Sequence, residues 1–165
     1  MTDSKTDDRQ HVVDLVGAAK TAMLTTMTAD GRHVSRPMGL QEAAFDGDLW
    51  FFAYEDSAKV GQIRATPEVN VTFSDGKHHT WTSMAGRAEV VHDRQKAEQL
   101  YTPALKPWFP DGLETPGITL IKVEADTAEY WDAPTSTVAF AVGSLRAAVT
   151  GDPKKDPITN ETVDL

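Results

Sequence analysis

The stretch VNVTFSDGKHHTWTSMAGRAEVV, residues 69–91, places an Asp-Gly pair between two runs of alternating apolar and polar residues. Asp-Gly tolerates the positive φ of tight hairpin turns, so the stretch predicts two antiparallel strands, Val69 to Ser74 and His78 to Val91. The same pair occurs at Asp30-Gly31 and Asp46-Gly47, again between apolar or β-branched runs. Each pair is expected to join two antiparallel strands.

Four further runs have strand character on either side of this hairpin. They are Ala22 to Thr28, His33 to Ala44, Leu49 to Tyr54 and Ile118 to Trp131. Six strands with hairpin connections and alternating patterns are typical of an antiparallel barrel. The sequence therefore predicts a mainly β fold, a six-stranded antiparallel barrel with peripheral helices.

Helices are predicted around this barrel. Apolar residues recur at helical spacing over Val12–Ala19, which indicates an N-terminal amphipathic helix that covers one barrel end. A second helix is expected over Ser57–Ala65 and ends there because the residue before Pro67 avoids helical dihedrals. A third helix should begin after Asp93, and a fourth is expected over Ser136–Val149.

The chain length favours one domain. A chain of about 150 residues buries roughly 70% of the surface that it exposes when unfolded, which suffices for a core without disulfides. Residues 1–150 are predicted to form this domain. Residues 151–165 are polar, contain two prolines and have no periodicity, so they are expected to form a loose C-terminal tail.

Composition excludes several classes of function. The absence of cysteine rules out disulfides and thiolate sites and favours a cytoplasmic setting. The net charge of −9 disfavours nucleic acid as a partner. The acidic first ten residues predict no signal peptide, and no apolar run approaches the roughly 20 residues that span a bilayer. We expect a soluble protein without a membrane partner, and no P-loop, GxGxxG, GxSxG or HExxH motif or metal site is recognisable.

Two positively charged residues are candidates for binding an anion. Lys59 falls in the first turn of the second helix, where a cation is unfavourable unless an anion offsets it. Arg36 precedes Pro37, which marks a sheet edge or bulge where a ligand can approach a strand. The alternatives are a surface lysine beside an ordinary Ser57 N-cap and an exposed strand charge.

Tryptophans in two loop-like segments are candidates for ligand or partner contact. Trp108 lies in the segment KPWFPDG, and Trp131 precedes Asp132-Ala133-Pro134. An aromatic side chain on such a segment can cover a ligand or meet a second chain. Ordinary anchoring of the loop is the alternative.

Five segments of the chain carry a likeness to one known family. They are Ser35–Met38, Leu49–Val60, Gly86–Val91, Trp108–Gly112 and Glu129–Asp132. Together they resemble the general stress protein 26 family of pyridoxamine 5′-phosphate oxidase-like, FMN-binding split-barrel proteins. The likeness covers about residues 7 to 151, and the two tryptophan segments are its most specific part.

The resemblance implies a homodimeric split barrel with flavin sites between the chains and FMN, or FAD, as cofactor. By position, Arg36, Ser57 and Lys59 would hold the phosphate. Trp108 would reach the site from the partner chain. The ribityl chain and ring would contact the remaining matched residues, which are Pro37, Met38, Gly39, Phe52, Ala53, Trp81 and Trp131.

Two departures limit what the resemblance implies. Ala53 stands where many relatives carry Thr, and no cation follows Trp131 where the true oxidases carry an Arg-x-His segment. The expected function is therefore a flavin-binding general stress protein with a low-specificity oxidoreductase activity, not a pyridoxamine phosphate oxidase. A deazaflavin-dependent reductase and a non-catalytic flavin- or haem-binding module remain as alternatives.

Overall fold

The computed structural model describes residues 2–41, 47–132 and 159–165. Three α-helices, seven β-strands and two short 3-10 turns make up this part of the chain. In chain order they are α1 Thr2–Ala18, β1 Thr21–Met27, β2 His33–Gly39, β3 Asp48–Tyr54, α2 Ala58–Ala65, β4 Glu68–Asp75, β5 Thr80–Val91, α3 Arg94–Leu100, the 3-10 turns Pro103–Leu105 and Gly112–Glu114, β6 Ile118–Asp132 and β7 Thr159–Asp164.

All seven strands belong to one antiparallel sheet with the order β2-β1-β4-β5-β6-β3, and β7 pairs with β6 beside this path. The end strands β2 and β3 approach each other where the Gln41 N–H donates to the Trp50 carbonyl at 3.3 Å. The sheet thus curls into a barrel whose two end strands share no ladder in the described residues. The mainly β split-barrel fold is confirmed, with seven strands rather than six.

Two of the Asp-Gly pairs have different outcomes. Asp30-Gly31 joins the paired strands β1 and β2, and Gly31 has a φ of 81°, as predicted for a tight turn. The hairpin predicted at Asp46-Gly47 stays a prediction, because residues 42–46 lie outside the described residues; among the described residues, β2 and β3 share no ladder. The expected strand His33–Ala44 correspondingly ends at Gly39 within the described residues.

The hairpin between β4 and β5 is confirmed, with a turn of different geometry. Asp75 pairs with Thr80, so the turn spans four residues. The Asp75 carboxylate accepts the backbone N–H of Lys77 at 2.8 Å, and His79 rather than the glycine has positive φ, at 54°. The Asp side chain therefore organises this turn.

Helices α2 and α3 lie close to their predicted positions, whereas α1 begins at Thr2, well before the predicted Val12. In α1, Val12 and Val16 are buried in the main core, which confirms that this helix packs its apolar residues against the sheet. Asp93 caps α3 by accepting the Lys96 N–H at 2.9 Å. The predicted helix Ser136–Val149 lies outside the described residues. None of the described helices combines the length and apolar character that a bilayer span requires.

The C-terminal residues correct one expectation. Strand β7 pairs with β6 from Thr127 opposite Asp164 to Asp132 opposite Thr159. Val163 is buried in the main core. The prediction of a loose tail is therefore wrong for residues 159–164, while residues 151–158 lie outside the described part of the chain.

A β-bulge interrupts the pairing of β5 with β6 between Ala85 and Gly86. A side chain at Gly86 would place its Cβ 2.1 Å from the Glu124 carbonyl oxygen, so only glycine allows this approach. At the same place β6 changes its second neighbour. It pairs with β3 up to Glu124 and with β7 from Thr127.

Strand β3 separates two apolar clusters and thereby positions the site. Phe51 packs into the main core inside the barrel. Phe52, the next residue, joins a second cluster with Leu100, Phe109 and Leu120 on the other face. The continuous apolar run of β3 reflects this burial on both faces. The second cluster fixes the segment around Phe109 against the strand.

Candidate functional site

A cleft of about 370 Å³ lies between β2, β3, the first turn of α2 and the segment 105–109. Its volume falls in the range of roughly 300–1,000 Å³ that is usual for small-molecule sites. Eight of the eleven residues predicted to bind a cofactor line it. They are Arg36, Pro37, Met38, Gly39, Phe52, Ala53, Lys59 and Trp108.

Arg36 is half-buried at one end of the cleft and is held by neutral oxygens. One guanidinium nitrogen, Nη1, donates to Thr26 Oγ1 at 2.7 Å and to the Leu24 carbonyl at 3.1 Å. The other, Nη2, donates to Gln62 Oε1 at 3.2 Å. Burial lowers the pKa of Arg36 below its usual value, because no counter-ion in the described residues offsets the desolvation.

Lys59 lies beside Arg36 in the first turn of α2. Burial lowers the pKa of Lys59, and the positive charge of Arg36 lowers it further. Within the described part of the chain, Lys59 makes no hydrogen bond or ion pair. Two like charges near a helix N-terminus, with no carboxylate of the described residues between them, form a site that favours an anion.

Ser57 precedes α2 but does not line the cleft. Its hydroxyl donates to the Tyr54 carbonyl at 2.6 Å, so it makes no side-chain cap for the helix. In this conformation the hydroxyl proton is not directed to a ligand in the cleft. Of the three residues predicted to hold a phosphate, the structure thus brings together Arg36 and Lys59.

The residues Pro37–Gly39 form one wall of the cleft on β2. In the described residues β2 pairs only with β1, so its other edge has backbone groups without a ladder partner. Proline at such an edge removes no ladder hydrogen bond. Ala53 on β3 forms part of the opposite wall and is buried, and its methyl group offers no hydroxyl to a ligand.

Aromatic side chains form the other end of the cleft. The Tyr54 and Phe109 rings have centroids 5.0 Å apart, and the Phe52 and Phe109 centroids are 5.9 Å apart. The Tyr54 hydroxyl donates to the Trp108 carbonyl at 2.7 Å, which ties the 105–109 segment to β3. The Trp108 side chain is 65% exposed at the rim, where it offers an open aromatic face.

Trp108 lies at the cleft of its own chain, which differs from the expectation that it reaches the site from a partner. Trp81 and Trp131 do not line this cleft. They are directly opposite each other on β5 and β6.

Several cleft residues escape the sequence analysis. Tyr54 and Gln41 line the cleft, and Thr26 and Gln62 hold Arg36 behind it. Gln62 is three residues after Lys59 on α2, so helical spacing could have indicated it. Thr26 is fully buried on β1, and only the strand register reveals its approach to Arg36.

The chemistry of the cleft is that of binding rather than proton transfer. None of the described residues that line it is Asp, Glu or His, so these residues provide no carboxylate or imidazole as general base. No group of His, Asp or Glu in the described ranges could hold a metal ion. A cationic end and an aromatic end suit a ligand with an anionic group and a planar ring.

The chain is similar to several known proteins. Protein bli-3 from Neurospora crassa is 30% identical over 144 residues, which are 81% of this chain and 69% of that protein. The general stress FMN/FAD binding protein of Xanthomonas citri has a TM-score of 0.67 at 25% identity, with 77% of this chain and 89% of that chain covered. General stress protein 26 of Bacillus anthracis has a TM-score of 0.66 at 23% identity, with 74% and 92% covered.

The family model for proteins like pyridoxamine 5′-phosphate oxidase matches residues 7–155. This range contains all the barrel strands except β7, together with α2 and every residue that lines the cleft. The split-barrel fold and the structural neighbours agree with it. On this evidence the chain belongs to the pyridoxamine 5′-phosphate oxidase-like family.

Proposed function

We propose that this protein binds a flavin, FMN or FAD, in the cleft between β2 and β3. The observation that carries the proposal is the pair of half-buried cations, Arg36 and Lys59, which have no anionic partner in the described residues. A flavin phosphate supplies the missing negative charge. Charge-assisted hydrogen bonds to a phosphate contribute about 1.5–3 kcal/mol each.

The rest of the cleft fits the remainder of a flavin. Edge backbone at Pro37–Gly39 offers polar groups to a ribityl chain, and Phe52 and Ala53 form an apolar wall. Trp108 provides an exposed aromatic face, against which a planar ring can stack. The Xanthomonas citri neighbour, described as an FMN/FAD binding protein, supports the same ligand class.

The activity that follows is a low-specificity flavin-dependent oxidoreductase of the general stress type. A bound flavin carries hydride or electrons between a donor and an acceptor. The chain's own residues bind and orient this group, because the described cleft lining contains no carboxylate or imidazole. Pyridoxamine phosphate oxidation is not proposed, since residues 132–141 after Trp131 contain no cation to hold a phosphorylated substrate.

We also propose that the protein is a homodimer whose partner chain contributes to each flavin site. Trp81 is 41% exposed and lies opposite the half-buried Trp131 on one face of the sheet. Met23, 39% exposed, lies on β1 of the same sheet. Trp81 and Trp131 do not line their own cleft, so a second copy is the means by which the two tryptophans would reach a flavin.

The absorption spectrum of the freshly purified protein tests the cofactor. A flavin spectrum, or FMN binding by the ligand-free protein with tight affinity, is the expected result. A deazaflavin or haem spectrum contradicts the proposal and favours the corresponding alternative. Protein that is isolated without a chromophore and does not bind added FMN or FAD also contradicts it.

Light scattering at micromolar concentration tests the dimer. A stable dimer should bury more than roughly 1,000 Å² in total. Trp81→Ser should weaken the dimer. The control variant Trp50→Ser replaces a half-buried tryptophan that packs against the second core cluster, and it should leave the dimer assembled. A monomer that still binds FMN as tightly as expected would contradict the homodimer while leaving the cofactor proposal in place.

A further inference from the structure

We propose that Gln62 is a positioning residue that holds Arg36 through a neutral oxygen, so that two uncompensated positive charges remain for a dianionic phosphate monoester. The inference rests on the proposed flavin function and names the ligand class of the same cleft. It concerns a side chain that lies behind the cleft and does not line it.

The geometry is a closed set of three side chains. Thr26 Oγ1 donates to Gln62 Oε1 at 2.6 Å, and Arg36 Nη2 donates to the same oxygen at 3.2 Å. Arg36 Nη1 donates to Thr26 Oγ1 at 2.7 Å. Each member thus contacts the other two, and Thr26 is 1% exposed. A set held in this way leaves Arg36 little freedom to move.

The Gln62 amide must present its oxygen to this set. Thr26 and Arg36 both donate at this position, and an amide nitrogen cannot accept either hydrogen bond. A neutral amide oxygen accepts two hydrogen bonds without cancelling the guanidinium charge. A carboxylate in the same place would form an ion pair with Arg36 and would repel an incoming phosphate.

Helix α2 carries both the anion-binding Lys59 and the positioning Gln62. The two are three residues apart and share a helix face. Val60 and Ile63, which are buried on the same helix, anchor it to the barrel core. The helix therefore fixes one cation directly and the other through Gln62.

Two full charges match a phosphate monoester better than a singly charged group. A monoester carries close to two negative charges at pH 7, because its second pKa is about 6. A phosphodiester or a carboxylate carries one. The cleft is thus expected to select a terminal phosphate, the group that FMN presents.

The test compares FMN and riboflavin binding to the intact protein and to three variants. Gln62→Glu adds the carboxylate, Gln62→Met removes the acceptor with similar length, and Gln99→Glu adds the same charge on the exposed side of α3. Gln62→Glu should weaken FMN roughly ten- to hundredfold, and Gln62→Met by a smaller factor. Riboflavin binding should change less than about twofold in every variant, as should FMN binding to Gln99→Glu.

The outcomes separate the two proposals. If the unmodified protein binds neither ligand, the flavin function fails and this inference fails with it. If the unmodified protein binds FMN and Gln62→Glu binds it equally well, only the role of Gln62 is overturned. Equal losses for FMN and riboflavin would assign Gln62 a purely structural role and would also overturn the inference.

Discussion

Arg36 and Arg94 each make three side-chain hydrogen bonds, but the acceptors differ in charge. Arg94 donates to the carboxylates of Glu98 and Glu114 and to the Leu113 carbonyl. Arg36 donates to a hydroxyl, an amide and a carbonyl. The pKa of Arg94 is accordingly raised by its two carboxylates, and that of Arg36 is lowered by burial.

This difference separates structural charges from ligand-directed ones. Exposed ion pairs such as Arg94 with its glutamates contribute little energy, and their charge is already matched. The pair Arg36 and Lys59 leaves a charge unmatched where water is partly excluded, although the chain as a whole carries a net charge of −9. An acidic protein in which two cations pair with none of the described carboxylates has a local preference for an anion at that place.

The largest effect is expected from removal of a charge in the cleft. Lys59→Ala should weaken FMN binding by about 1.5–3 kcal/mol, roughly ten- to hundredfold, because one charge-assisted contact is lost. The control variant Arg64→Ala removes another cation of α2, one that is already paired with Glu55, and should have little effect on FMN binding. Isothermal titration with FMN and with riboflavin measures both. Equal losses for the two ligands would indicate general damage rather than a phosphate contact.

A somewhat smaller effect on FMN affinity is expected from a change of pH. FMN affinity relative to riboflavin should rise through pH 6, as the phosphate becomes dianionic. It should fall again in alkaline solution, because Lys59 loses its proton below the ordinary value of 10.5. Each limb should amount to about tenfold. Titrations from pH 5 to 10 measure it, and persistence of the alkaline limb in Lys59→Ala would assign that limb to another group.

Stability should change in the opposite sense to binding. The folded, ligand-free protein disfavours the Lys59 charge, so Lys59→Met should raise the free energy of unfolding by less than about 1 kcal/mol, since the group is only half-buried. The unfolded chain binds the extra proton below pH 10.5, so this gain should shrink as the pH rises towards that value. Urea unfolding at pH 7 and 10 measures it. A destabilised variant would contradict the comparison.

The smallest effect is expected at an exposed ion pair. Arg87 pairs with Glu68 across β4 and β5, and both side chains are well exposed. Arg87→Ala should change the free energy of unfolding by about 0.2–1 kcal/mol, and high salt should reduce the difference. Urea unfolding at low and high salt tests this. If Arg87→Ala lowered the free energy of unfolding by several kcal/mol at every salt concentration, the distinction between exposed, paired cations and the cations of the cleft would fail.

Local pattern predicted much of the fold, and the remainder depends on contacts between distant segments. The hairpins at Asp30-Gly31 and Asp75-Gly76 follow from turn chemistry next to alternating strands. Strand β7 has no pattern of its own in residues 159–164. The open edge of β6 makes it a strand.

The site divides in a similar way. Lys59 was recognisable because a cation is unfavourable in the first turn of a helix. Arg36 was recognisable because it precedes a proline that marks a strand edge. Gln62 and Thr26 were missed because a neutral residue acquires its role only through the group that it contacts. Trp81 and Trp131 were recognised by family likeness, and only the folded structure shows that they do not line the cleft of their own chain.

The bulge at Gly86 also has a consequence for the dynamics of the sheet. It divides β6 into one half that pairs with β3 and another half that pairs with β7. β3 is anchored on both faces, whereas β7 buries Val163 as its principal anchor. Amide protons in the two halves should exchange with deuterium in separate cooperative openings, and those next to β7 should exchange first. The half of β6 that carries Trp131 would then open locally while the half that pairs with β3 keeps its hydrogen bonds.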